Sequence, residues 1–457
     1  MRPLLHGVVL AAVLLGALVP GAFLWRRIRR DGLLCGTGVL VCCLVVYVAV
    51  PTLFLLFPEA RDESTLYGLM LQAWDTPGLM LQLLLCAALL PAMTGLYALR
   101  SRTLLPQPPR GADWDAVNRR ALRWLLPLAH GLLGLGCVGL AVCLHGVGGL
   151  VPYLALGSLT RGIGKDVTAL LPASCLPFVT LSSVLLAPPF LYRFALRTPD
   201  AKPAHRVLFL LSLGLALLYL LSSQGRAPLL LFLLPFLLDW KPIRHLGLGG
   251  YGLLFLVCLL SLEGLQRLFG YLAWGTWQSA SGSSPLTVLL REFSCPFASF
   301  ATRHALLREM GLRLGLDLVQ WPLVVLPSGF SSLVGVDKAA LVTIGERLTD
   351  ACSAVTGLPT RGGIPADLLF FWYAQGGLLT LLGGLWLLMR LLRACDDRLR
   401  LLRENDPARL LVLRAALLSL SCVSNFDIAV LLRTRADLLV LLAVLLSLAR
   451  AGTTKRG

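Results

Sequence analysis

Apolar segments of about 20 residues recur along most of this 457-residue chain. A membrane hydrocarbon core about 30 Å thick requires about that length from each crossing helix. With 57% hydrophobic and only 14% charged residues, the composition excludes an ordinary soluble globule and indicates an all-α polytopic membrane protein. We predict about eleven transmembrane helices, near residues 4–24, 33–57, 79–98, 124–146, 169–191, 206–222, 227–240, 246–262, 364–389, 411–430 and 436–449.

Lysine and arginine concentrate in the loops on one side of this topology. Examples are the cluster at 26–30, the segments 104–124 and 390–406, and the tail at 450–456. The two middle segments predict surface helices that lie on anionic lipid. Because basic residues mark the cytoplasmic side, an odd number of spans places the N-terminus outside and the C-terminus in the cytoplasm. The net charge of +17 is then mainly a topology signal, and cations scattered over loops do not indicate nucleic-acid binding.

The apolar pattern divides the chain into three parts. An N-terminal membrane bundle of about eight helices occupies 1–262, a large outer segment occupies 263–363, and about three C-terminal membrane helices occupy 364–457. Within the outer segment, 300–318 predicts an amphipathic helix with Arg303 on its polar face. The proline-broken stretch 316–330 is too short to cross, so it lies in the interface or re-enters.

Cysteine and histidine give no metal-site pattern. The chain has no CxxC motif and its six histidines are isolated, so neither a metal nor another cofactor is predicted. Only Cys295 and Cys352 fall in the outer segment. They form a disulfide in an oxidising compartment or remain two buried free thiols, and the sequence leaves both alternatives open.

An arginine stands at the outer end of a predicted helical hairpin, where short loops normally lack one. Arg226 precedes the apolar segment 227–240, which as a helix is about 21 Å long and leaves its outer end below the membrane surface. Pro228 suits the first turn of that helix. The helix N-terminus and the guanidinium then face the same water-lined space, which predicts an anion site.

The pattern recurs at two other outer ends. Arg361 precedes two glycines at the start of the ninth predicted span, and Arg433 and Arg435 lie in the turn between the last two spans. Arginine is preferred over lysine where a planar fork of donors grips a phosphate. As the alternative, each arginine snorkels to lipid headgroups or pairs with a local acid such as Asp367 or Asp437. The three ends together favour phosphate binding.

Outward cationic pockets in a helical bundle suit a lipid-linked pyrophosphate substrate. The phosphates are held and the leaving group is stabilised there, while the lipid tail stays in the bilayer. The acceptor is a sugar hydroxyl, whose proton a carboxylate takes. The candidate carboxylates are Glu292, Glu346, Asp350 and Asp367.

A few short stretches, together with the order of the spans, carry a resemblance to a known family. They are Arg226-Ala227 before a leucine-rich helix, "LLREFSCPF" at 289–297, "VVLPSGF" at 324–330, Pro365 through Gly376-Gly377, and Arg433 with Asp437. In these features the chain resembles the Wzy-type O-antigen and oligosaccharide repeat-unit polymerases, most nearly the enterobacterial common antigen polymerase branch. The resemblance extends over most of the chain.

This resemblance implies a GT-C-like membrane glycosyltransferase fold with one large periplasmic loop. It also implies an enzyme of the bacterial inner membrane, with its N-terminus in the periplasm, that joins undecaprenyl-pyrophosphate-linked oligosaccharide units at the periplasmic face. The growing chain is transferred onto a new lipid-linked unit, which builds a lipopolysaccharide O-antigen or a related surface polysaccharide. The usual partners are a Wzx-type flippase and a Wzz-type chain-length regulator.

Residue roles follow from the same resemblance. The residues that it assigns to donor contacts and catalysis are Arg226, Arg291, Arg361, Arg433, Glu292 and Asp367. The residues that it assigns to substrate binding are Arg303, Arg347, Arg435, Lys338 and Asp350.

Other functions fit parts of the pattern. An O-antigen ligase uses the same donor but is expected to need an outer-loop histidine, for which His304 is the candidate. A lipid-linked oligosaccharide flippase or other secondary transporter predicts inverted repeats and charged residues along a path through the bilayer, and the sequence shows neither. A non-catalytic membrane scaffold does not require the outward arginines.

Overall fold

The computed structural model describes most of the membrane bundle and part of the outer segment. Its longer described ranges are 2–57, 77–99, 114–160, 171–223, 226–239, 285–325, 340–359 and 364–405. Shorter described pieces are 68, 70, several positions between 249 and 271, 335, 337, 412, 414, 423–427, 435, 437–441, 443 and 444. Within these residues every regular element is a helix and none is a β-strand, which confirms the all-α prediction.

The described α-helices are numbered here in chain order. They are α1 (Arg2–Asp31), α2 (Cys35–Leu44), α3 (Val50–Leu56), α4 (Pro77–Ala98), α5 (Trp114–Gly146), α6 (Leu150–Thr160), α7 (Leu176–Ser182), α8 (Pro188–Ala195), α9 (Pro203–Ser223), α10 (Arg226–Asp239), α11 (Pro285–Ala301), α12 (Arg303–Met310), α13 (Leu316–Val325), α14 (Ile344–Thr356) and α15 (Leu368–Asn405). A π-helical turn, Val45–Ala49, joins α2 to α3. Pro51 has no amide N–H to bond to the preceding turn, which accounts for the wider turn there.

Seven helices among the described residues are long and apolar enough to cross a membrane. They are Leu4–Asp31, Cys35–Leu56, Gly78–Ala98, Trp114–Gly146, Pro177–Ala195, Pro203–Ser222 and Leu368–Arg400. They match the first six predicted spans and the ninth, and the seventh is the short apolar helix α10. The multi-pass membrane architecture is therefore confirmed. A total of eleven spans and a GT-C-like fold stay predictions, because the remaining spans lie largely outside the described residues.

The described helices bury three hydrophobic clusters. The first joins α1 to α4, α11 and α15, and contains Tyr47, Tyr97 and Phe300. The second lies mainly among α5, α8, α9 and α10, and contains Phe190 and Phe232. The third is smaller and lies where α12 and α14 meet the start of α15.

The helix α15 is interrupted near its start. Gly376-Gly377 has non-helical backbone angles, and the second glycine has a φ of 72°, which favours glycine. The Thr380 hydroxyl donates to the Trp372 carbonyl at 2.8 Å, and the Trp372 ring lies against Gly384. Residues twelve apart in a continuous helix are about 18 Å apart. The segment 368–375, termed the half-helix, therefore folds back onto the long helix that follows it.

The charged segment 390–406 is not the separate surface helix that was predicted. The helix α15 continues through it to Asn405 without a break, and the Asp396 side chain is fully buried. On the other inner segment, residues from Trp114 onward belong to the same helix as the fourth span. The prediction was wrong because charge was taken as a sign of exposure, whereas acids and arginines pair within the bundle here.

The amphipathic helix predicted over 300–318 is divided among the end of α11, the whole of α12 and the start of α13. Gly311 ends α12 with a φ of 73°, and α13 starts at Leu316. Arg303 is buried instead of lying on a polar face, so this part of the prediction was wrong.

Within the predicted span 411–430, the described residues 423–427 are not helical. The Phe426 amide N–H donates to the Ala366 carbonyl, and the Leu368 amide N–H donates to the Val423 carbonyl, both at 2.8 Å. The backbone groups ahead of the half-helix are satisfied in this way, so an extended segment is tolerated inside the bundle.

Candidate functional site

Six predicted site residues lie outside the side chains that the structure describes. They are Arg226, Arg291, Glu292, Arg361, Arg433 and Lys338. The convergence of the outer arginines on one hollow therefore stays a prediction. The described predicted site residues are Asp367, Arg303, Arg347, Asp350 and Arg435.

Helix α14 carries two predicted substrate-binding residues, Arg347 and Asp350, at exposed positions. The helix begins with a capping box. The Glu346 carboxylate accepts the Thr343 amide N–H at 2.8 Å, and the Thr343 hydroxyl accepts the Glu346 amide N–H at 3.3 Å. Glu346, a candidate base from the sequence, thus serves as part of a helix cap.

Arg435 forms a bidentate ion pair with Asp437. The contacts Nε–Oδ1 and Nη2–Oδ2 both measure 2.8 Å, and both side chains are buried. The pair lies within electrostatic range of Tyr219 in the second cluster. This ion pair agrees with the alternative interpretation of Arg435, in which the arginine pairs with a local acid instead of binding a phosphate.

Arg303 is a buried cation at the start of α12, with 5% of its surface exposed. Its Nη1 atom donates to the Phe300 carbonyl at 2.9 Å and to the side-chain oxygen of Gln82. Its guanidinium carbon lies 4.5 Å from the ring centre of Phe300 and 4.8 Å from that of Tyr373. Among the described residues no carboxylate pairs with Arg303, and its buried Nε atom has no hydrogen-bond partner.

The surroundings of Arg303 compensate only part of the cost of burying its charge. A buried charge without an ionic partner costs several kcal/mol. A desolvated cation over an aromatic face recovers about 2 kcal/mol, and the carbonyl and amide oxygens add neutral hydrogen bonds. An arginine held in this way is suited to an anion that approaches its remaining N–H groups.

Tyr373 and His304 connect Arg303 to the surface. His304 is exposed, Tyr373 is half-buried, and their rings meet edge to face with centres 5.9 Å apart. Burial and the adjacent Arg303 cation lower the pKa of His304, so its imidazole is neutral at pH 7. The site therefore combines a buried cation, a neutral imidazole and an aromatic wall.

Asp367 caps the N-terminus of the half-helix 368–375 and is fully buried. Its Oδ1 atom accepts the amide N–H groups of Leu369 and Phe370, both at 3.0 Å, and the Tyr47 hydroxyl. Burial raises the pKa of this carboxyl to about 7, and the hydrogen bonds oppose that shift. Among the described residues its Oδ2 atom has no partner.

A polar network fixes the place where the half-helix ends. Arg313 donates to both oxygens of Asp317 at 2.9 Å and to the Val342 carbonyl at 2.6 Å. The same carboxylate accepts from the side-chain amides of Gln320 at 2.9 Å and Gln375 at 3.0 Å. Because Gln375 directly precedes the glycine break, the network ties the turn to α13.

A second buried carboxylate lies lower in the first cluster, where α2 begins. Asp396 of α15 accepts the Tyr97 hydroxyl and the Gly36 amide N–H, the latter at 2.9 Å. A Cβ atom at Gly36 would lie 2.6 Å from Oδ2 of Asp396, so only glycine fits. The acid of one helix thus caps another helix that is distant in sequence.

Arginines surround that carboxylate at the same end of the bundle. The basic-end cluster is defined as Arg27, Asp31, Arg393, Asp397 and Arg400. Asp31 pairs with Arg27 at 3.3 Å and with Arg400 at 3.0 Å. Asp397 pairs with Arg393 at 3.2 Å and also with Arg400. The guanidinium groups of Arg27 and Arg393 lie over the Tyr97 ring.

Sequence reasoning missed four residues of these sites, Tyr47, Gln82, Tyr97 and Asp396. A signal was present for each, because a polar side chain inside an apolar helix is costly and therefore marks a partner or a function. Tyr47 also lies in the π-helical turn, and such turns recur at functional sites. The sequence did not show which residue of another helix each of these side chains contacts.

The two cysteines of the outer segment do not form a disulfide. Cys295 and Cys352 are both buried thiols, which confirms the second alternative for this pair. The Cys352 thiol donates to the Met70 sulfur at 3.8 Å, and burial raises its pKa to about 12. In the part of the chain that the structure covers, no group of three or more histidine, cysteine or acidic side chains is placed to hold a metal.

Comparison with protein-family models, curated proteins and solved structures finds no match for this chain. The resemblance to the Wzy-type polymerases therefore rests on span order and the short stretches of the sequence.

Proposed function

We propose that the chain is a membrane glycosyltransferase that polymerises lipid-pyrophosphate-linked oligosaccharide units, with Arg303 as a phosphate contact. The observation that carries the proposal is the buried Arg303 guanidinium, which has aromatic and neutral polar neighbours but no carboxylate partner among the described residues. The short stretches that resemble Wzy-type polymerases support the same activity.

The chemistry of the transfer needs such a cation. When the sugar chain leaves its lipid carrier, negative charge develops on the pyrophosphate, and a preorganised donor in a water-poor site stabilises that charge. The unused Nε–H of Arg303 is a donor of this kind. A guanidinium that was already paired with an acid would have to break that pair first.

Tyr373 and His304 supply the acceptor side of the proposal. The Tyr373 ring adjoins Arg303 and the exposed His304 ring adjoins Tyr373, so a sugar ring that binds against His304 would lie beside the cation. His304 is neutral at pH 7, so it can accept a proton from a sugar hydroxyl.

Asp367 has a positioning role in this proposal. Its carboxyl is fully buried and bonded to Tyr47 and to two amide groups of the half-helix. It therefore holds the half-helix, and with it Tyr373, instead of taking a proton from the acceptor.

Transport of a lipid-linked oligosaccharide is the second candidate function. It is favoured by two buried carboxylates at different depths of the first cluster, Asp367 and Asp396. The sequence interpretation found no such mid-bundle charges, and charges along a path through the bilayer are typical of transporters.

Deletion of the gene in the native host, followed by separation of the surface glycan, tests the activity. A polymerase predicts accumulation of lipid that carries one repeat unit on the outer side. Absence of outer lipid-linked product indicates a flippase, and free intact polymer indicates a ligase.

Complementation with Arg303→Gln tests the site. We expect loss of long chains at a normal protein level, because the neutral amide cannot stabilise the leaving pyrophosphate. Arg308→Gln is the matched control, because Arg308 is exposed on the same short helix. Long chains from Arg303→Gln, with the protein folded, would remove Arg303 from the proposed site.

A further inference from the structure

The basic-end cluster lies in a region with more positive charge than its own acids neutralise. The segments 26–31 and 390–400 together contain eight arginines and three aspartates. The single carboxylate of Asp31 contacts three arginines, Arg27, Arg30 and Arg400. Its side chain is nearly buried, with 9% exposure. Several cations around one carboxylate repel one another, and a further anion would relieve that repulsion.

Buried N–H donors in this cluster have no acceptor among the described residues. They are Nε and Nη2 of Arg27 and Nη2 of Arg400. Arg27 is 9% exposed. Both guanidinium groups contact the same Oδ2 atom of Asp31, at 3.3 and 3.0 Å, so they lie side by side. Buried donors without acceptors are rare in folded proteins, and they often mark a place where an ion or a water molecule binds.

Two exposed tryptophans place this cluster near the headgroup region. Trp25 on α1 and Trp386 on α15 are each 45% exposed. Each ring lies under an arginine of its own helix, with Arg29 5.3 Å from Trp25 and Arg390 5.2 Å from Trp386. Tryptophans with this pattern are typical of the membrane–water interface. Trp25 lies two positions before Arg27, so the unused donors lie close to that level.

We propose that Arg27 and Arg400 bind the phosphate group of an anionic phosphate ester at the basic end of the bundle. The shared chemistry is a tetrahedral oxyanion, which accepts several N–H groups at once and suits the planar fork of arginine. This site is separate from the one around Arg303, and it does not depend on the glycosyltransferase proposal. A membrane phospholipid and free phosphate are the two sources of such a group.

The Tyr97–Asp396 pair explains why the described acids leave these donors unused. Asp396 lies within electrostatic range of both arginines, but its oxygens already accept the Tyr97 hydroxyl and the Gly36 amide. Asp397 is engaged with Arg393 and one nitrogen of Arg400. Among the described residues, the remaining donors of Arg27 and Arg400 are therefore left without an acceptor, and a bound phosphate would supply one.

Thermal unfolding of the delipidated full-length protein in dodecyl maltoside tests the proposal. The probes are short-chain phosphatidylglycerol, short-chain phosphatidylcholine and inorganic phosphate. We expect phosphatidylglycerol to raise the unfolding temperature in a saturable way, because a ligand that binds only the folded state stabilises it. Arg27→Gln should weaken the apparent affinity about tenfold or more, since it removes a charge-assisted hydrogen-bond donor.

Arg26→Gln is the matched control, because Arg26 is exposed, adjacent in sequence and equal in charge. It should leave the affinity unchanged. Arg400→Gln is the second variant if Arg27→Gln does not fold, and it should give the same loss. A saturable shift with inorganic phosphate alone, lost in the same variants, assigns the site to free phosphate. Equal losses in the control and the site variants, or no shift with any probe, overturn the proposal.

Discussion

Two buried pairs of a tyrosine and an aspartate lie at different places along the first cluster. In the upper pair, Tyr47 donates to Asp367, which caps the half-helix directly after it. In the lower pair, Tyr97 donates to Asp396, which caps α2, a helix 360 positions away at Gly36. A tyrosine–aspartate pair thus stabilises a local helix start in the upper region and a contact between helices distant in sequence in the lower region.

The surrounding charge separates the two pairs. Asp396 lies within electrostatic range of Arg27 and Arg400. Among the described residues, the main contacts of Asp367 are hydrogen bonds from Tyr47, Leu369 and Phe370, and no ion pair with an arginine is seen. A buried carboxylate is therefore held as a charged partner in the lower region and as a hydrogen-bonded cap in the upper one. The variants below test that difference.

The largest expected effect is that of Asp396→Ala. It leaves the Gly36 amide and the Tyr97 hydroxyl without an acceptor and reduces the negative charge near Arg400, so we expect a loss of about 3–5 kcal/mol. Asp397→Ala is the control, because its side chain is 40% exposed and exposed ion pairs contribute about 0–1 kcal/mol. Dodecyl sulfate titration in mixed micelles measures both. Equal losses would show that burial does not distinguish the two acids.

Gly36→Ala should have the next largest effect. The added Cβ would lie 2.6 Å from Oδ2 of Asp396 and 3.1 Å from Cζ of Tyr97, so the lower pair must move apart. Overpacking of this kind costs about 1–3 kcal/mol. Gly95→Ala on α4 meets no atom within 4 Å and should be neutral. The unfolding temperatures of the two variants, measured side by side, check the difference.

Removal of the tyrosine hydroxyls compares the pairs directly. Tyr47→Phe and Tyr97→Phe each remove one donor to a buried carboxyl and should cost about 1–2 kcal/mol. We expect Tyr97→Phe to cost no more than Tyr47→Phe, because Arg27 and Arg400 still stabilise the lower carboxylate. Chemical unfolding of the single variants gives the ranking, and a clearly larger loss for Tyr97→Phe would contradict it.

The smallest effect is expected for Asp367→Asn. Asparagine caps a helix as well as aspartate does, so below about pH 5 the cost should stay within about 1 kcal/mol. Burial raises the pKa of Asp367 to about 7, so the folded protein binds a proton that the unfolded chain releases near its ordinary value of 3.8. Wild-type stability should therefore fall as the pH rises between those values.

The pH dependence isolates the upper pair, because asparagine does not titrate. Asp367→Asn should gain stability relative to the wild type as the pH rises from about 5 to about 8. Unfolding free energies at the two pH values check this prediction. A constant difference between the two proteins would show that Asp367 is already charged in the folded state at the lower value.

The membrane architecture was predictable because it follows from composition and segment length. The first six described spans coincide with apolar windows of the sequence, since only a helix of that length satisfies its backbone groups in hydrocarbon. The fold-back at Gly376-Gly377 was not predictable in the same way. A hydropathy average over about 20 residues does not detect a break of two glycines. The contact between Trp372 and Gly384 forms only in the folded structure, so the sequence pattern does not show it.

The candidate site was predictable in part. Asp367 and Arg303 were named from the sequence, but their partners Tyr47, Gln82 and Tyr373 come from other helices. Spacing along one chain does not give contacts across a bundle. Asp396 was missed for a related reason, because a charged stretch was interpreted as a solvated surface.

The glycine pair in α15 has a consequence for how this protein is made. The arm before it is about 12 Å long as a helix, far too short to be laterally released from a translocon as an independent segment. Its peptide groups are buried only after the neighbouring helices have packed around it. Biogenesis must therefore deliver both arms together as a hairpin, and at a late stage of assembly.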